Sequence, residues 1–154
     1  MEYGTLEREL YIEASPDTVF EVISSPEQLK EWWPDEAEFT PSPGSVGEIT
    51  FGDRTSGDAK VVPLTVVEVD PPRVFSFRWD HPADEPATPT NSLAVTFELV
   101  ASGDGTLLKL TETGFREQGW EAAVLEEQYR DHNTGWDHFL PRLVDHVARV
   151  VSAP

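Results

Sequence analysis

Apolar positions along this chain follow two periods. Through most of residues 5–113 they alternate with polar ones in short runs, and from 120 to 151 they recur at steps of three and four. Alternation marks half-buried strands, and the longer step marks one face of a helix. The final stretch, WEAAVLEEQYRDHNTGWDHFLPRLVDHVARVV, places Leu125, Tyr129, His132, Trp136, Phe139, Leu140, Leu143, Val147 and Val150 on one face. A long amphipathic helix that follows many strands needs a sheet to lie on, and that sheet must curve around it.

The first strand is expected at 5–13, with Leu6, Arg8, Leu10 and Ile12 facing inward and Arg8 as the odd member. Ser15-Pro16-Asp17 carries a helix start: a capping hydroxyl, a proline suited to the first turn and an acid at the positive end of the dipole. Ser24-Ser25-Pro26-Glu27 repeats the signal, and the second short helix is expected to carry Leu29, Trp32 and Trp33 before Pro34 stops it. Adjacent helical positions diverge, so one of the two tryptophans should be the more exposed. Residues 34–47 read as a loop with a short strand around Phe39. Strands follow at 48–53, 60–70, 74–80, 92–100 and 106–114. Pro63 signals an edge, an irregularity or a strand start. The polar, proline-rich segment 81–91 is too long for a tight hairpin and reads as a surface loop or a gate. Sequential strands on short turns imply an antiparallel sheet, with the first strand returning beside the last. Pro141 predicts a bend near 137–141, or a separate segment over 120–134, and Gly135 eases either outcome.

Length and charge narrow the function classes. The 154 residues suit one domain, 1–154. Acidic residues number 29 against 11 basic ones, a formal net charge of −18. Such a surface repels phosphate backbones and anionic lipid, so nucleic-acid and membrane-surface partners are not expected, whereas a basic protein partner is compatible. The absence of cysteine removes disulfides, thiolate nucleophiles and cysteine metal sites. The opening MEYGTLERELYIEAS reads as no secretory signal, and no run approaches the roughly 20 apolar residues of a membrane span. A cytoplasmic location is expected; oligomeric state is not encoded legibly.

Four motifs then occur in order. EASPDTVFEVISSPEQLKEWW (13–33), VVEVDPPRVFSFRW (66–79), LTETGF (110–115) and HNTGWDHFLPRL (132–143) resemble segments of the START-like (SRPBCC) superfamily, in the branch named for the activator of Hsp90 ATPase. The resemblance implies an α+β helix-grip fold of the START/Bet v-like kind. Its expected parts are a curved antiparallel sheet of about seven strands, two short helices after the first strand, a long C-terminal helix and an internal cavity. It does not by itself imply an activity, because one fold serves many functions.

The candidate site is therefore the space between sheet and helix. Trp32, Trp33, Phe51, Phe75, Phe77, Trp79, Phe97, Trp136, Phe139 and Leu140 read either as ordinary core or as the walls of a pocket for a hydrophobic or amphipathic small molecule. Arg8 and Glu112 fall on inward faces of strands expected to be neighbours, as an ion pair or as a polar ligand anchor. His132 lies on the apolar helix face, one turn before Trp136. A buried, hydrogen-bonded histidine is the first reading, and an acid/base role shared with Glu112 the second. His132, His138 and His146 lack the i, i+4 spacing of a helical metal pair, so no metal and no cofactor is expected. The functions compatible with these features are small-molecule binding, a co-chaperone-like protein-interaction module, or a cyclase or hydrolase using the same cavity.

Overall fold

A computed structural model describes residues 4–152. The order of elements is β1 (Thr5–Ile12), α1 (Pro16–Ser24), α2 (Pro26–Leu29), β2 (Glu36–Glu38), β3 (Val46–Phe51), β4 (Lys60–Asp70), β5 (Val74–Trp79), β6 (Leu93–Ser102), β7 (Gly105–Thr113) and α3 (Ala122–Ser152), with short 3-10 turns at Arg54–Ser56 and Arg116–Gln118. The seven strands form one antiparallel sheet in the order β1-β7-β6-β5-β4-β3-β2. The first strand does return beside the last, with Leu6 opposite Glu112 and Arg8 opposite Leu110. The expected helix-grip α+β architecture is the one observed.

Alternation builds the inner face. Phe75, Phe77 and Trp79 of β5, Leu93, Val95, Phe97 and Leu99 of β6, and Leu108 and Leu110 of β7 are all buried. They meet in register: Phe75 stands opposite Phe97 and Trp79 opposite Leu93, while Phe97 is also opposite Leu110. Val62, Leu64 and Val66 extend this face through β4. Pro63 sits within β4, where its carbonyl accepts from the Asp80 N–H at 3.0 Å. On that side the β4–β5 pairing ends at Leu64–Trp79, so the ladder needs no donor from the proline. Asp80 ends β5 with a left-handed φ of 67°, a conformation aspartate tolerates better than most residues.

Ser15 caps α1 by accepting from the Thr18 N–H at 3.3 Å, with Pro16 in the first turn, and the helix buries Val19, Phe20, Val22 and Ile23. The last helix is continuous. It runs unbroken through Gly135 and Pro141, so 120–134 is not a separate segment as one reading of the proline allowed. Pro141 and Asp137 are both exposed, which leaves the carbonyl freed by the proline on the solvent side. The buried stripe of α3 is Leu125, Trp136, Leu140, Leu143 and Val147.

Candidate functional site

The strand period of β7 puts Glu112 on the inner face, where it is 0% exposed. An isolated carboxylate there is costly, and its burial calls for hydrogen-bond donors to both of its oxygens. Three are supplied. Trp79 Nε1–H donates to Oε2 at 2.8 Å, and Trp136 Nε1–H donates to Oε1 at 2.9 Å. His132 Nδ1 lies 3.0 Å from both oxygens. Because the carboxylate can only accept, the network assigns the imidazole proton to Nδ1. One side chain thus joins β7 to β5 and to two turns of α3.

That assignment leaves His132 Nε2 free. It has no hydrogen-bond partner among the described residues, yet no buried side-chain nitrogen or oxygen there lacks one. Nε2 is therefore not sealed in, and His132 is one of the residues that line the space beside it. The ring is held edge-on between Trp79, 5.3 Å away, and Phe115, 5.4 Å away. Burial works to lower its pKa. The hydrogen bond and charge of Glu112, helped by Asp80, outweigh both burial and the opposing Lys60, and the net shift is upward.

Beside this ring lies a cavity of about 230 Å³ between the sheet and α3, lined by Trp33, Phe51, Lys60, Val62, Trp79, Asp80, Asp131, His132, Gly135, Trp136 and Phe139. The aromatic walls are mutually packed, with Trp33 centred 5.0 Å from Trp79 and 5.2 Å from Trp136. Lys60, Asp80 and Asp131 are exposed and mark the mouth. Gly135 makes room for the cavity on the helix side: a Cβ built there meets nothing within 4 Å. Two larger hollows, of about 570 and 700 Å³, share Glu48, Pro63 and Ala83. They lie on the outer face of the sheet, where Val46 and Val61 are exposed, and do not reach the Glu112 network.

Of the residues expected at a site, Trp33, Phe51, Trp79, His132, Trp136 and Phe139 line this cavity. Trp32, Phe75, Phe77, Phe97 and Leu140 do not; they fill the core around it. Glu112 lies behind the wall, bonded to three of the residues that form it. Arg8 does not pair with Glu112. The register sets Leu6 opposite the carboxylate, and the Arg8 guanidinium reaches outward to Asp137 Oδ1 at 3.1 Å, to the Asn133 side chain and to the Glu7 carbonyl at 2.9 Å. It clamps β1 to α3 at the rim. Trp32 and Trp33 are also both buried, at 0% and 4% exposed. The divergence rule failed because α2 ends at Leu29 and the pair sits in the following turns, where the Trp32 indole donates to the Val22 carbonyl at 3.1 Å. The 81–91 loop does not border the cavity. It is fastened elsewhere, by His81 to Thr65 at 3.1 Å and by Gln118 to the Pro89 carbonyl at 3.2 Å.

Lys60, Val62, Asp80, Asp131 and Gly135 were missed by sequence reasoning. Gly135 carries a signal, since a glycine inside a helix is costly unless the missing side chain has a use, but its pattern alone does not distinguish a helix break from room for a cavity. Among the described residues no group of three or more histidines and acids is placed to hold a metal ion, and no helix is long and apolar enough to cross a membrane.

A family model described as Activator of Hsp90 ATPase homolog 1-like protein matches residues 13–148. The chain belongs to this family. Solved structures give the same fold. Protein MLL2253 from Mesorhizobium loti is 24% identical with a TM-score of 0.75, the match covering 94% of this chain and 97% of that one. Protein NE0264 from Nitrosomonas europaea is 17% identical with a TM-score of 0.76, covering 99% of each chain. The Aha1 dimer from Colwellia psychrerythraea, solved in solution, is 18% identical with a TM-score of 0.73, covering 93% of this chain and 95% of that one. At these identities the likeness establishes the fold alone. No curated protein matches the chain in sequence. Membership of the activator family supports, in general terms, a ligand-binding or protein-interaction module.

Proposed function

We propose that this protein is a binding module for a compact hydrophobic small molecule, held in the cavity between β3, β4, β5 and α3. The observation that carries the reading is an apolar, aromatic-walled space with an exposed mouth and a single oriented polar group, the His132 ring, in its wall. Small-molecule sites commonly combine apolar walls with a few placed polar groups. The volume of about 230 Å³ lies below the usual range of roughly 300–1,000 Å³ and selects ligands of one or two rings over long acyl chains. Thermal melting and native mass spectrometry across a panel of such molecules test it directly. Members that fit are expected to bind one to one and raise Tm; a panel without a single bound species or shift refutes the reading.

The net charge of −18 favours a second reading, docking of a basic protein surface. Its mark is association that weakens steeply with added salt, and a complex indifferent to ionic strength counts against it.

A further inference from the structure

We propose that the ligand carries one weakly acidic hydroxyl, of the phenol class, which meets the Nε2 edge of His132 and shares its proton with that nitrogen. This rests on the cavity being the binding site and adds the chemistry of its single polar contact.

The geometry leaves few alternatives. Glu112 accepts from Trp79, Trp136 and His132, so both indole N–H groups and the Nδ1 proton are committed. Neither carboxylate oxygen is offered to the cavity. Nε2 remains, and with the proton fixed on Nδ1 it presents a lone pair when the ring is neutral. A hydroxyl donor satisfies that lone pair, whereas an ether or a hydrocarbon leaves it bare behind a bound ligand. A carboxylate is a poor fit, because Asp80 and Asp131 stand at the mouth against the single cation Lys60. An alkylammonium can donate to the neutral nitrogen, but its remaining N–H groups find no acceptor on the Trp33, Phe51 and Phe139 walls and stay desolvated there. A neutral aromatic hydroxyl suits both the Trp33, Phe51 and Phe139 walls and the nitrogen.

Such a contact is proton-linked. The complex contains one proton between ligand oxygen and Nε2, drawn either as O–H···N or as O⁻···H–N⁺. The transfer breaks the O–H bond and forms the N–H bond, with the electron pair left on oxygen, and needs no co-reactant. Affinity is highest where the free ring is neutral and the free hydroxyl still protonated. The charged groups that face the ring are Glu112 from β7, Asp80 at the end of β5, Lys60 from β4 and Asp131 from α3 itself. Their net effect with burial is to raise the ring's pKa above its ordinary 6.5, so the lower limit of this window lies above that value. The upper limit is the ionisation of the phenol, about 10 as for tyrosine.

The test compares 4-propylphenol, 4-propylanisole and propylbenzene by calorimetry, between pH 5 and 11, on the full chain. The phenol is expected to bind about tenfold more tightly than its methyl ether, the worth of one hydrogen bond to an otherwise bare buried acceptor. The preference should vanish at both ends of the pH range and shrink to about twofold or less in His132→Phe. Should that variant fail to fold, the pH profile of the unaltered protein decides. Equal affinity of phenol and ether at every pH overturns this inference and leaves the cavity reading standing. Failure of all three to bind overturns both.

Discussion

The two halves of α3 are held to the rest of the molecule in opposite ways. Up to Phe139 the helix meets the sheet through a buried carboxylate, an imidazole and two indoles, and it leaves a cavity beside them. Beyond that point Leu140, Leu143 and Val147 are buried in an apolar contact, and the helix packs on α1. The two histidines facing inward make the contrast quantitative in sign. His132 faces the Glu112 carboxyl group; burial works against it, but the hydrogen bond and charge of that group win, and its pKa is raised. His146 donates from Nε2 to the neutral Gln28 Oε1 at 2.8 Å; burial, with some help from Arg149 and against Glu31, lowers its pKa. One half of a helix can therefore be tuned for chemistry while the other supplies grip, provided the polar half is fully satisfied.

Removing the centre of the polar half should have the largest effect. Glu112→Ala leaves two indole N–H groups and an imidazole N–H without a buried acceptor, and should cost about 3–5 kcal/mol in denaturant melts. Leu143→Ala should cost slightly less, about 3 kcal/mol, because the residue is 0% exposed and the loss is packing alone. It should leave ligand affinity unchanged at temperatures where the protein is folded, since Leu143 does not border the cavity. A variant that lost affinity and stability together would erase the distinction between the halves.

Gly135→Leu probes the boundary from the other side. A side chain there enters open space, so binding should be abolished while stability rises by up to about 1 kcal/mol from helix propensity. Smallest, and most diagnostic, are the opposite pH dependences of the two histidines. The raised pKa of His132 gives stability that is fully present below about 6.5 and lost as the pH climbs through the higher folded value. The lowered pKa of His146 reverses the sign: stability is gained as the pH rises through the folded value toward 6.5. Subtracting the curves of His132→Gln and His146→Gln from that of the parent should give slopes of opposite sign. Slopes of like sign would contradict the assigned environments.

The architecture was legible because it rests on periods. Alternation in β5, β6 and β7 and the three-four step in α3 are local patterns, and each fixes which face is buried. The site was only half legible because it rests on register. Glu112 was recognisable as a charge on an inward face, but its three partners come from β5 and α3, far away in the chain. Arg8 looked like the natural mate, since both lie inward on adjacent strands. A two-residue difference in register, with Leu6 rather than Arg8 opposite Glu112, sent the guanidinium to Asp137 instead. The expectation that one of Trp32 and Trp33 would be exposed failed for a related reason: a one-turn helix does not impose helical spacing on the turns after it.

The pairing of β1 with β7 also has a consequence in time. β1 is the first strand to be synthesised, but the residue opposite its Leu6 is Glu112, near the end of the sheet. At roughly 5–20 residues per second the nascent strand waits on the order of 5–20 s for its partner. Throughout that interval an apolar row of Leu6, Leu10 and Ile12 has no sheet to join. Arg8 interrupts that row with charge at its middle, and Glu7 and Glu9 place charge on the strand's other face, which discourages an errant strand from another chain from adding there. The arginine that ties β1 to α3 in the folded molecule is thus also the one charge within the strand's apolar row before its partner exists.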